Sequence, residues 1–92
     1  MDDPRLGRIR FRAWRRGFRE ADLILGGFAD RHLAAMSGAE LDAFEALLEE
    51  ADHDIYAWVL GSGVAPAHVD AGLIERLRAF KPWADESAAR GG

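Results

Sequence analysis

Ninety-two residues make one domain, and the absence of cysteine excludes a disulfide framework and a thiolate zinc site. A hydrophobic share of 49% supplies one modest core, but no apolar run approaches the ~20 residues that span a bilayer. The net charge of −4 is unevenly spread: residues 1–20 hold seven arginines against three carboxylates, a local +4, and the remainder holds −8. That asymmetry predicts a basic patch on an acidic body, and a pI of about 5.3 argues against a general polyanion binder.

Taken in order, residues 1–5 show no apolar pattern and are expected to fray. Met1-Asp2-Asp3-Pro4 places acid where a presequence avoids it, so the expected location is cytoplasmic. From Leu6 to Arg16, Leu6, Ile9, Ala13 and Trp14 fall at helical spacing. Trp14 reads as a core or rim anchor. Gly17 is suited to end this helix and turn the chain, because it takes positive φ without cost. Arg16 and Glu20 then flank a helix junction and are expected to be displayed. A second helix follows from Phe18 to about Leu33, with Ala21, Ile24, Leu25, Phe28 and His32 on one face. Glu20 sits in its first turn, where the helix dipole favours a carboxylate. Gly26-Gly27 predicts a kink or a close helix crossing.

Ser37 and Glu40 have capping-box spacing. The third helix turns Leu41, Phe44, Leu47, Leu48 and Ala51 inward, and its glutamates and Asp42 outward as a solubilising face. Asp52 reads as the N-cap of a short fourth helix carrying Ile55, Trp58, Val59 and Leu60, ended by Gly61-Ser62-Gly63. Pro66 is expected to open a fifth helix, with Val69, Leu73, Leu77 and Phe80 inward, and Pro82 to stop it. Ser87 to Gly92 is expected to be disordered. No stretch alternates with period two, so the expectation is an all-α fold, a five-helix antiparallel bundle of one domain with an ordered core at about 6–81.

No catalytic constellation is visible. His32, His53 and His68 form no paired metal motif, Ser37 and Ser62 are explained by caps and turns, and no phosphate-binding glycine loop follows a strand. The expectation is a non-enzymatic protein without a metal or a bound cofactor.

Arg16-Gly17-Phe18-Arg19-Glu20 has an Arg-Gly-x-x-Glu form that resembles the small FAD assembly factors of succinate dehydrogenase. The surroundings are similar as well: Arg12-Ala13 before the motif, Asp22 after it, and an apolar run ending Phe28-Ala29-Asp30. Leu47-Leu48-Glu49, Asp52-His53-Asp54-Ile55 and Trp58 resemble the family's second signature, and the likeness covers most of residues 8–80. The resemblance implies a helical chaperone that binds the flavoprotein subunit of succinate dehydrogenase, and also that of fumarate reductase, and promotes covalent attachment of FAD to it. The attacking histidine then belongs to the partner, and FAD resides there rather than on this chain. The resemblance assigns Arg16, Gly17 and Glu20 to the contact surface, with Arg12, Arg19 and Asp22 supporting, and the free chain is expected to be a monomer. The alternative is a small nucleic-acid or anionic-surface binder using the N-terminal arginines.

Overall fold

The computed structural model describes residues 3–89, with side chains as far as residue 82. Five α-helices and one 3-10 turn account for the described residues, and no strand occurs among them. Asp3 and Pro4 set the first helix, α1, Pro4–Trp14. The Asp3 carboxylate accepts from the Arg5 N–H at 2.8 Å, and Pro4 takes the first helical position, where its missing N–H costs nothing. The expected frayed start is therefore helical from Pro4, while Met1 and Asp2 lie outside the described residues. The helix ends before Arg16, and Gly17, at φ +85°, turns the chain.

The second helix, α2, runs from Arg19 to His32 and continues as a 3-10 turn, Leu33–Ala35. It packs against α1 on one side and the last helix on the other. Ala21, Ile24, Leu25 and Phe28 are buried as their spacing requires. Of the two readings of Gly26-Gly27, the close crossing holds: α2 passes through unbroken, and a Cβ on Gly26 would lie 2.2 Å from Cδ2 of Trp14. Trp14 is half-buried there and its indole N–H donates to Asp30 at 3.3 Å, so it is a rim anchor.

The third helix, α3, Gly38–Leu48, opens with the expected capping box. The Glu40 N–H donates to Ser37 Oγ at 3.2 Å and the Ser37 N–H to Glu40 Oε1 at 2.9 Å. Leu41, Phe44, Leu47 and Leu48 are buried, but Ala51 is exposed because it has become the cap of the next helix. The acidic outer face does more than solvate. Arg5 bonds Asp42 and, at 2.6 Å, Glu45, Arg12 bonds Glu49, and Arg76 bonds Glu40 at 3.0 Å. The basic first helix is thus laid against the acidic third.

The fourth helix, α4, Asp52–Leu60, is capped by Ala51 rather than Asp52, whose carboxylate is turned to Arg16 instead. Gly61, at φ +84°, closes it as expected. The fifth helix, α5, Ala71–Ala89, begins five residues after Pro66. Pro66 sits in the preceding turn and accepts from the Val69 N–H, whereas Asp70 accepts from the Leu73 N–H at 3.0 Å and supplies the cap. Pro82 does not end α5 but lies inside it, since an interior proline deletes one backbone bond without forbidding the turns beyond. Ser87–Ala89, expected to be disordered, is helical, and residues 90–92 lie outside the described residues. Phe28 centres the core, with Phe44 at 5.8 Å and Phe80 edge-on at 5.9 Å between ring centroids.

Two outcomes follow from this packing. Gly26→Ala should destabilise the fold by about 1–3 kcal/mol in urea melts, through overpacking. In a Trp14→Ala background the same Gly26→Ala change should cost almost nothing further, because the ring that the new methyl strikes is gone. Burial, and then the Arg76 and Arg31 cations, holds the His32 imidazole below its ordinary value. The unfolded chain therefore protonates first, near pH ~6.5, so this contribution to stability is complete above that pH and is lost as pH falls through it. The urea midpoint should drop between pH 7.5 and 5.5, and His32→Gln should flatten that drop.

Candidate partner-binding site at the first helix junction

The junction between α1 and α2 is fastened at two points. The Arg16 backbone N–H donates to Asp22 Oδ1 at 2.9 Å, buckling the turn onto the first turn of α2. The Arg16 side chain reaches across to the turn between α3 and α4. Its guanidinium donates to the Leu48 carbonyl at 2.6 Å, to the Glu50 carbonyl at 2.7 Å and to the Asp52 carboxylate. A helix leaves its last carbonyls without partners and with a partial negative charge, and the planar fork of Arg16 satisfies them at the end of α3.

This corrects the expectation that Arg16 is displayed. Its side chain is only 11% exposed and Asp52 23%, so the pair is a clamp within the fold. Arg12 is engaged in a surface ion pair with Glu49, and Asp22 is half-buried as the buckle. The other three predicted residues face out together. Gly17 is exposed, with open space where a Cβ would stand, and its positive φ excludes other residues without strain. Arg19 and Glu20 are exposed, and Glu20 has no hydrogen-bond or ion-pair partner among the described residues.

Behind the turn lies a group that the sequence reading did not assign. The Phe18 ring packs between His53, at 5.3 Å, and the edge of Tyr56, at 5.1 Å between centroids. An aromatic in the variable part of the motif and two rings spaced i, i+3 on α4 were the available signal. They brace the exposed backbone of Gly17 from below, so that its position is set by α4 as well as by α2.

Most cations of α1 and the junction are paired within the molecule. Arg5, Arg10, Arg12 and Arg16 each face a carboxylate, with Arg10 at 3.3 Å from Asp30. That matching removes most of the positive field that a nucleic-acid reading needs. Among the described residues, no three histidine, aspartate or glutamate side chains come together as metal ligands.

Because Arg16 closes three acceptors, Arg16→Ala should cost about 2–3 kcal/mol, leaving a part-buried carboxylate and two carbonyls unpaired. Arg16→Lys should recover only a minor part, since an ammonium cannot span the same three acceptors. Urea denaturation of the three proteins measures this directly.

Residues 7–81 match the family model described as flavinator of succinate dehydrogenase. A curated relative, succinate dehydrogenase assembly factor 2, mitochondrial, of Candida glabrata, is 47% identical over 57 residues, which are 62% of this chain and 37% of that protein. The protein of the same name from Meyerozyma guilliermondii is 39% identical over 56 residues, 61% of this chain and 42% of that one. The one from Saccharomyces cerevisiae strain S288c is 41% identical over 56 residues, 61% and 35% respectively. The matched segment thus spans between 35% and 42% of these three relatives. These relatives are named as mitochondrial, and no helix among the described residues is long and apolar enough to cross a membrane. The family model covers the whole junction, from α1 through the Arg16 clamp to the core of α5, and on that match the chain belongs to the flavinator of succinate dehydrogenase family.

Proposed function

We propose that this chain is an assembly factor that binds the flavoprotein subunit of succinate dehydrogenase and promotes covalent attachment of FAD to it. The observation that carries the reading is the clamped, outward-facing turn Gly17–Glu20. It combines a backbone open to close approach with a partnerless carboxylate inside the segment that the family model matches. A rigid surface of this kind binds without losing further conformational freedom. The fumarate reductase flavoprotein is a second candidate client of the same surface. The free chain is read as monomeric, because the exposed large apolar side chains among the described residues are few.

The proposed mechanism is positional. Forming a bond between a partner histidine and the flavin requires both to be held in attack geometry, and such ordering can be worth ~7–11 kcal/mol of the barrier. The factor contributes by bracing the apo-subunit through the junction while FAD is bound there. Glu20 accepts hydrogen bonds from partner donors, Gly17 admits the partner's backbone, and Arg19 adds a cation at the rim. Arg16, Asp22 and Arg12 hold that surface in shape. The chain itself supplies no nucleophile and keeps no flavin.

Co-expression with the flavoprotein subunit, in cells lacking their own factor, tests this by flavin fluorescence of the denatured subunit. Glu20→Ala should leave the melting midpoint nearly unchanged, since exposed charges contribute within about 0.5 kcal/mol, and should abolish most covalent flavin on the partner. The purified factor should remain colourless after denaturation. Full flavin attachment with Glu20→Ala would place the contact elsewhere on the molecule.

A further inference from the structure

The outer side of α1 carries a feature that the junction does not use. Phe11 is 59% exposed, and the Arg15 guanidinium lies over its ring at 4.6 Å. Arg8, one turn earlier on the same side, is exposed. The neighbouring Arg5, Arg10, Arg12 and Arg16 face carboxylates, whereas no carboxylate of the described residues pairs with Arg8 or Arg15. Pro4, Gly7, Arg8, Phe11 and Arg12 line an open hollow of about 480 Å³, with nothing within 4 Å of where a Gly7 Cβ would stand. A second hollow, lined by Phe11, Arg12, Arg15, Arg16 and Asp52, continues from it to the junction.

We propose that this Arg8–Phe11–Arg15 stripe is a second docking surface, for an acidic protein segment that presents an apolar side chain between carboxylates. Charge complementarity favours such a segment, because Arg5, Arg10, Arg12 and Arg16 beside the stripe are already paired with carboxylates of the chain. Two uncompensated guanidiniums flank one exposed ring, and guanidinium forks bind carboxylates bidentately. The hollow beside Gly7 takes the apolar side chain, and the ring with its stacked arginine forms one wall. From Pro4 to Arg15 the stripe is about 16 Å long at 1.5 Å per residue, room for two to three turns of a partner helix. A nucleic acid would meet the same cations, but the ring and apolar hollow give its phosphates nothing, and the acidic bulk of the chain opposes it. Resting on the assembly-factor reading, the inference places this acidic segment on the flavoprotein itself, beside the region that meets Glu20.

The test is titration of the apo-flavoprotein subunit with wild-type factor, Arg8→Glu/Arg15→Glu, Phe11→Ser and Glu20→Ala, at low and at 0.5 M salt. The charge reversal is expected to weaken binding at least tenfold at low salt, and the gap to the wild type should shrink several-fold at high salt. Phe11→Ser should weaken binding at both salts, and all variants should keep the wild-type melting midpoint. Wild-type affinity in both stripe variants, with loss only in Glu20→Ala, would overturn the stripe and leave the junction standing. No binding by the wild type at any salt would instead refute the assembly-factor reading. Loss of heparin or DNA binding in the stripe variants, with flavoprotein affinity unchanged, would overturn the protein partner in favour of a polyanion.

Discussion

The Arg16 guanidinium, set on the Leu48 and Glu50 carbonyls and the Asp52 carboxylate, ties the first helix junction to the turn between α3 and α4. Two requirements meet there. The end of α3 has carbonyls that need donors, and a glycine turn needs something to stop it from flexing. One side chain answers both, and the Asp22 carboxylate on the Arg16 N–H fixes the other end of the turn. The exposed residues of the motif are therefore presented by residues that are not exposed. A substitution at Arg16 affects function through shape, and one at Glu20 affects it through contact.

The same economy runs along α1. Arg5 and Arg12 are matched to Asp42, Glu45 and Glu49 along α3 and its cap, so two of the N-terminal cations are used in joining two helices. Surface ion pairs contribute little singly, and their value here is orientation: they set α1 across the acidic helix in one register. On the opposite side, Trp14 occupies the space that Gly26 leaves open. The helix is thus fixed by charge on one flank and by close packing on the other, which leaves only its outer stripe to solvent.

What could be read from the sequence was the local part. The buried stripes of α2, α3 and α5 follow from spacing, and the Ser37–Glu40 box and the Gly17 and Gly61 turns follow from residues within a few positions of each other. The motif located the junction correctly, because glycine between two helical stripes has few other uses. The errors were of two kinds. Where two local signals competed, the weaker was taken: Asp70 is the cap of α5, not Pro66, and Asp3-Pro4 opens α1 before its apolar stripe begins. Where the partner was remote, the side chain was placed in solvent. Arg16 meets Asp52 across 36 positions, a pairing that has no sequence period to betray it. A charged residue followed by glycine reads as surface until the orphan carbonyls of another helix are known.

The division of labour within the motif is best tested by a structure of the complex with the apo-flavoprotein subunit. The account predicts that the Glu20 carboxylate lies within hydrogen-bond distance of partner donors and that partner backbone passes close to Gly17, while the Arg16 guanidinium remains on Leu48, Glu50 and Asp52. An Arg16 side chain swung out of its clamp and paired with a carboxylate of the partner would contradict it.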